Sequence, residues 1–197
     1  EGSWIAVLEK TVFYPEGGGQ PSDRGSVGGR RVLGLSRDAL GRVLHLLDGQ
    51  VSGDVDVVVD WERRFDHMQQ HTAQHILTAI SLDRHGWPTT AFHLGEQRSD
   101  VELDAPNLTL DDLSPLEDDV NRVIGEDRRV TWTVVENGAL PASGVRSRRL
   151  PRGLEGAVRL VEIDGLDLNT CGGTHVARTG EIGILKIVDT EQLRGGT

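Results

Sequence analysis

The sequence predicts an α+β fold, with a small N-terminal β-barrel-like domain in residues 1–60 and an α+β domain in residues 61–197. The first sixty residues consist of short apolar runs separated by Gly, Asp and Ser turns, a pattern typical of β structure. After residue 60, apolar residues recur at helical spacing in two segments and alternate with polar residues in others. A chain of 197 residues can bury a substantial core in one or two domains.

A glycine-rich loop interrupts the predicted N-terminal strands, which cover residues 4–8, 32–35, 43–47 and 55–59. In this loop Gly17, Gly18 and Gly19 precede Gln20. Three successive glycines are entropically costly to hold in regular structure, so they must form a loop. It is either a sharp β-turn or a segment whose backbone approaches a ligand.

Two helices are predicted in the second domain. The first has Asp66 as its N-cap and runs to Ser81, and the second begins with the Ser114 cap and ends at Gly125. The apolar face of the first helix consists of Ala73, Ile76, Leu77 and Ile80. Strands are expected within residues 87–95, 98–103, 130–135, 158–163 and 183–188.

The first helix carries a pair of histidines, His71 and His75, one turn apart and away from the predicted apolar face. An H-x-x-x-H pair suits zinc, although two exposed surface histidines or satisfied core histidines would give the same pattern. Thr72 stands where a zinc protease of the H-E-x-x-H type has its glutamate base, so that mechanism is not supported.

A second pair, Cys171 and His175, encloses Gly172 and Gly173 about a hundred residues later. Cys171 is the only cysteine, so it has no disulfide partner within the chain, and the paired glycines favour a tight turn. A buried structural cysteine beside an unrelated histidine is the alternative. Taken together, the two pairs predict one zinc ion per chain, with the ligands His71, His75, Cys171 and His175.

The net charge and the distribution of basic residues limit the ways in which the chain can bind nucleic acid. The net charge of −10 argues against broad nonspecific binding of nucleic acid but leaves room for a local basic face. Within residues 146–152, Arg148 and Arg149 either contact phosphates or form a solvated surface.

No apolar run reaches the roughly 20 residues of a membrane helix, and a single cysteine fits a reducing compartment, so we expect a cytoplasmic protein without membrane contacts.

Four motifs in the same order carry a family resemblance: residues 13–25, 71–75, 92–96 and 171–175. They resemble the editing domain shared by alanyl-tRNA synthetase and the free-standing AlaX-type trans-editing proteins. The resemblance extends from about residue 9 to beyond residue 185. The sequence shows no nucleotide-binding motif or aminoacylation domain, so we expect the free-standing form.

The resemblance implies a zinc-dependent hydrolase that deacylates mischarged tRNA(Ala), chiefly seryl-tRNA(Ala), with glycyl-tRNA(Ala) as a further candidate. The expected partner is the tRNA acceptor end, and a monomer is favoured. No catalytic side chain is predicted, because the zinc site would hold or orient the water. The candidate substrate-binding residues are Thr89, Thr90, His93, Gly172 and Gly173. The candidate tRNA-binding residues are Gly17, Gly18, Gly19, Gln20, Arg148 and Arg149.

Three alternatives stay open at the level of sequence. A closed four-ligand site would also suit a zinc-stabilised tRNA-binding module without hydrolytic activity. A different zinc hydrolase could act on small esters or amides. The editing domain of threonyl-tRNA synthetase shares both zinc-type motifs, so a different tRNA is a third alternative, although the glycine-rich segment favours the alanine system.

Overall fold

Antiparallel sheets and two α-helices make up the fold in a computed structural model that describes residues 2–136, 145–146 and 156–192. The predicted mixture of helices and sheets is therefore confirmed. Arg148 and Arg149, the predicted phosphate contacts, lie outside the described residues. In the described ranges, no helix is both long enough and apolar enough to cross a membrane.

The N-terminal sheet has five strands, which are β1 Trp4–Val7, β2 Gly25–Val27, β3 Arg30–Arg37, β4 Val43–Leu47 and β5 Val57–Val59. Their order across the sheet is β1-β4-β3-β2-β5. One face covers a small apolar core of Phe13, Val27, Val32 and Leu47. A barrel would require the edge strands β1 and β5 to pair, and in the described chain they do not. The predicted barrel-like closure is therefore not observed, and the sheet is open.

The first helix, α1, spans Trp61–Ile80 and continues through a π-helical turn, Ser81–His85. It begins six residues before the predicted start, because Asp60 directly after β5, and not Asp66, caps it by accepting from the Arg63 amide at 3.3 Å. Gly86, with φ of 71°, ends the turn. The predicted apolar face is buried, and so are His71 and His75 on another side of the helix.

The second helix, α2, spans Leu110–Gly125 and ends at the predicted residue. Thr109 caps it in a capping box with Asp112, so the predicted start at Ser114 is wrong and lies within the helix. Its apolar residues pack against α1 in a core that includes Ile76, Ile80, Leu116, Val120 and Val123. This core fixes the position of α1 and of the histidines on it.

Two smaller sheets complete the fold. One pairs β6, Thr89–His93, with β7, Asp100–Leu103. The other has the order β10-β9-β8, with β8 Val130–Glu136, β9 Ala157–Ile163 and β10 Asp167–Thr170. A 3-10 turn follows at Thr179–Ile182.

The strand predicted at residues 183–188 is not formed. Side chains of α2 take the hydrogen bonds that a neighbouring strand would have made. The Leu185 amide donates to Asn121 Oδ1 at 2.8 Å, and the Ile187 amide donates to Glu117 Oε2 at 2.6 Å. Leu185 and Ile187 therefore pack against the helical core instead of a sheet, whereas Ile184 and Val188 are exposed.

Contacts cross the predicted domain boundary at residue 60. Asp23, buried beside β2, forms an ion pair with Arg64 of α1. Arg63 Nε of α1 donates to the Ser22 carbonyl at 3.3 Å. Each part nevertheless has its own cluster of buried apolar side chains. The division into residues 1–60 and 61–197 stays a prediction.

Candidate metal centre

The structure brings together all four predicted ligands. His71 and His75 lie on α1, and Cys171 and His175 lie on the loop that follows β10. One nitrogen or sulfur atom of each residue lies within 4.8 Å of the others. Cys171 Sγ is 3.5 Å from His71 Nε2 and 3.3 Å from His175 Nε2. These atoms form a compact set of three imidazoles and one thiol.

The ring of His71 is oriented by Gln20 of the glycine-rich loop. Gln20 Oε1 accepts from the Thr174 amide at 3.0 Å, which fixes that oxygen as an acceptor. His71 Nδ1, 2.8 Å from the same oxygen, must therefore carry the proton. Gln20 Nε2 completes the arrangement by donating to Thr174 Oγ1 at 2.8 Å.

The ring of His175 is oriented by Thr72. The Thr72 hydroxyl donates to the Met68 carbonyl at 2.8 Å and accepts from the Val176 amide at 3.2 Å. Since its one proton is already used, it can only accept from His175 Nδ1, which lies 3.2 Å away. His175 therefore also carries its proton on Nδ1.

The ring of His75 is oriented by Asp167, a buried carboxylate on β10 that is 5% exposed. Asp167 Oδ2 lies 3.1 Å from His75 Nδ1 and accepts a hydrogen bond from it. Asp167 Oδ1 lies 3.0 Å from Arg146 Nε, and Arg146 also pairs with Asp83. With all three Nδ1 atoms held in this way, the three Nε2 lone pairs are available to a metal ion.

The turn at Gly172 and Gly173 lets the loop close against α1. A Cβ atom on Gly173 would lie 2.1 Å from His71 Cε1, so no other residue fits there, whereas Gly172 faces open space. Arg159 of β9 stabilises the turn by donating to the carbonyls of Cys171 at 3.0 Å and Gly173 at 2.7 Å. The ring of Trp132 covers the Arg159 guanidinium.

The electrostatics of the four side chains favour a cation among them. Burial raises the pKa of Cys171, but hydrogen bonds with His175, His71 and His75 outweigh burial and lower the pKa to about 2. Burial lowers the pKa of His175 to about 3, so its ring is neutral. For His75, burial is outweighed by hydrogen bonds with Asp167 and Cys171, which raise the pKa to about 9. Positive charge among the four side chains therefore stabilises Cys171 as a thiolate.

The donor set fits zinc. A thiolate and imidazoles suit zinc and are poor ligands for magnesium or calcium. Zinc at its usual bond lengths to nitrogen and sulfur would separate tetrahedral ligand atoms by about 3.3–3.6 Å. The two sulfur–nitrogen distances of 3.5 and 3.3 Å agree with that spacing.

The predicted substrate-binding residues of β6 differ in their positions. Thr89 Oγ1 lies 2.8 Å from the hydroxyl of Thr78 on α1. Thr90 and His93 are exposed on the strand. Phe92, which was not predicted as a site residue, has its ring centroid 5.2 Å from that of His71. Because side chains alternate along a strand, Phe92 lies on the opposite face from His93. This alternation is the only signal in the sequence that could have identified Phe92.

The glycine-rich loop packs against β6 and the metal centre. Gly19, with φ of 82°, has space only for hydrogen, because a Cβ atom there would lie 2.5 Å from the Phe92 carbonyl oxygen. The Gly19 carbonyl accepts from the Leu94 amide at 2.9 Å. Gln20 is fully buried against the Cys171 loop. Contact between this loop and tRNA stays a prediction.

Comparisons with known proteins agree with this site. Residues 158–197 match the family model described as the threonyl and alanyl tRNA synthetase second additional domain. Over 94% of its length the chain is 43% identical to the Xenopus laevis alanyl-tRNA editing protein Aarsd1-A and 40% identical to the Danio rerio alanyl-tRNA editing protein Aarsd1. The chain is a homologue of the alanyl-tRNA editing proteins.

The resemblance read from the four motifs is therefore confirmed. This alanyl-tRNA editing homologue is also 34% identical, over 92% of its length, to the Pyrococcus horikoshii alanyl-tRNA editing protein AlaX-L. An alanine–tRNA ligase from Ignicoccus hospitalis is 36% identical over 96% of the chain, which covers 22% of the ligase. The chain spans about half the length of the curated editing proteins that it matches, 45% for the Xenopus and Danio proteins.

Proposed function

We propose that the chain hydrolyses the ester between a wrong amino acid and tRNA(Ala), with seryl-tRNA(Ala) as its main substrate and glycyl-tRNA(Ala) as a second. The observation that carries this proposal is the convergence of His71, His75, Cys171 and His175 in a homologue of alanyl-tRNA editing proteins. In the reaction a water oxygen bonds to the amino acid carbonyl carbon, and the bond from that carbon to the ribose oxygen breaks. Free amino acid and tRNA are released.

The four residues would hold one zinc ion. Zinc bound there would supply Lewis acidity, polarising a carbonyl and lowering the pKa of a water to about 7. The chain's own contribution is preorganisation. Gln20, Thr72 and Asp167 hold protons on the three Nδ1 atoms and keep the rings from turning.

Access to the centre supports approach of the ester from the side of the Cys171 loop. Gly172 is exposed and Cys171 is partly exposed, whereas His71 beside Gln20 and His75 beside Asp167 are buried. Arg159 fixes the two carbonyls that flank Gly172. The exposed turn therefore keeps its shape as a substrate approaches, which favours a positioned ester.

A time course of deacylation tests the proposal. Purified protein is incubated with seryl-tRNA(Ala), glycyl-tRNA(Ala) and alanyl-tRNA(Ala), each labelled in the amino acid, and zinc is quantified on the same preparation. We expect fast loss of serine, loss of glycine, and retention of alanine. Bound zinc with all three esters intact would contradict hydrolysis and favour the zinc-stabilised tRNA-binding module. Equal activity on free aminoacyl esters would favour a small-ester hydrolase.

A further inference from the structure

One face of α1 carries two more polar residues beside the histidine ligands. At 100° per residue, His71, Gln74, His75 and Thr78 fall within an arc of about 100°. Gln74 is therefore on the ligand-bearing face, next to His75 in sequence and one turn from His71. Under the proposed function the reacting ester lies at the metal centre. Gln74 is therefore a buried polar residue beside the substrate.

Strand β6 lies along the same face. Its Thr89 Oγ1 is 2.8 Å from Thr78 Oγ1 at one end, and its Phe92 ring is 5.2 Å from the His71 ring at the other. Gln74 lies between these two contacts along the helix. Gln74 therefore lies on the side of α1 that faces β6, between His71 of the metal centre and Thr78.

Gln74 has an unsatisfied hydrogen-bonding atom. The residue is 6% exposed, and its Nε2 donates to Thr78 Oγ1 at 2.6 Å. Thr78 Oγ1 lies in turn 2.8 Å from Thr89 Oγ1. Within the described part of the chain Oε1 has no hydrogen-bond partner. Buried polar atoms in native proteins are nearly always paired, so this acceptor requires an explanation.

We propose that Gln74 is a specificity-determining residue whose Oε1 accepts a hydrogen bond from the side-chain hydroxyl of serine on the mischarged tRNA. This inference rests on the proposed function. The serine hydroxyl supplies the missing donor, whereas the methyl group of alanine would leave the buried oxygen unpaired. A site built to bond a hydroxyl rejects the analogue that lacks it by about 10⁴-fold.

The test is a substitution that keeps the volume of the side chain and removes its amide. Gln74→Met is compared with Gln69→Met, the same change on the opposite face of α1, where Gln69 Nε2 donates to the Glu181 carbonyl at 2.7 Å. Both variants and the wild type are assayed for kcat/KM on seryl-tRNA(Ala) and glycyl-tRNA(Ala), and for zinc content. Glycine has no hydroxyl, so its ester is an internal control.

We expect Gln74→Met to lower kcat/KM for seryl-tRNA(Ala) by about 10-fold or more, since one hydrogen bond to the transition state is lost. The value for glycyl-tRNA(Ala) should not fall, because glycine makes no hydrogen bond with Oε1. The zinc content should stay at the wild-type level, and Gln69→Met should lower none of these values. An equal loss on both esters would assign Gln74 a structural role and overturn the inference. So would unchanged activity on seryl-tRNA(Ala).

The two failures can be told apart. If the wild type cleaves seryl-tRNA(Ala) and Gln74→Met cleaves it equally well, the proposed function stands and the role of Gln74 does not. If the wild type cleaves neither ester, the proposed function fails and the inference fails with it.

Discussion

Gln20 links the glycine-rich loop to the metal centre, and replacing it by Met tests whether that link supports metal binding. The change keeps the length of the side chain and removes three hydrogen bonds, with the Thr174 amide at 3.0 Å, His71 Nδ1 at 2.8 Å and Thr174 Oγ1 at 2.8 Å. At a net value of about 1 kcal/mol each, the free energy of unfolding should fall by about 3 kcal/mol.

The same change should weaken zinc binding, because a partner that fixes the tautomer of a ligand is typically worth about 10- to 100-fold in metal affinity. Gln20→Glu is the matched control. A carboxylate oxygen still accepts from His71 Nδ1 and from the Thr174 amide, and the Thr174 hydroxyl can rotate to donate to it. Gln20→Glu should therefore retain most of the affinity.

Competition with a chromogenic zinc chelator measures both affinities, and chemical denaturation measures stability. Two results would refute the reasoning. The first is Gln20→Met binding zinc as tightly as the wild type. The second is Gln20→Glu binding zinc as weakly as Gln20→Met, which would mean that the acceptor oxygen is not what orients His71.

Three further substitutions test the centre. Cys171→Ala should lower zinc content and abolish deacylation, and full activity with unchanged zinc would contradict a shared site. Gly173→Ala should weaken zinc binding by more than about 10-fold, because the added methyl group displaces the ring of His71. Gly172→Ala should bind zinc as the wild type does, because Gly172 faces open space. Equal zinc affinity of the two variants would contradict the close packing of Gly173 on His71. Asp167→Asn should lower zinc affinity by about 10- to 100-fold and the exposed Asp164→Asn should not; chelator competition distinguishes them.

The four candidate ligands could be predicted from sequence because residue type and spacing are enough. His71 and His75 are one helical turn apart, and Cys171 and His175 enclose two glycines. The residues that orient the rings could not be predicted in the same way. Asp167 and Gln20 are ordinary polar residues until the fold places them against histidines 92 and 51 positions away.

The errors in secondary structure have two different origins. Asp66 is a good N-cap by its own sequence, but Asp60 already caps the helix where β5 ends. Residues 183–188 form a largely apolar run that predicts a strand, but Asn121 and Glu117 of α2 accept from the amides of Leu185 and Ile187. In the first case an earlier local cap is used, and in the second a tertiary contact outweighs a local preference. The open N-terminal sheet follows from strand pairing that apolar runs alone do not specify.

The central claim is that the ester is hydrolysed at the four-ligand centre. The most direct test is to strip the protein of metal, confirm by circular dichroism that it remains folded, and titrate zinc back while measuring deacylation of seryl-tRNA(Ala). Activity should return in proportion to zinc and reach its maximum at about one ion per chain, as a single four-ligand site requires. Full activity in the folded, metal-free protein would contradict the claim.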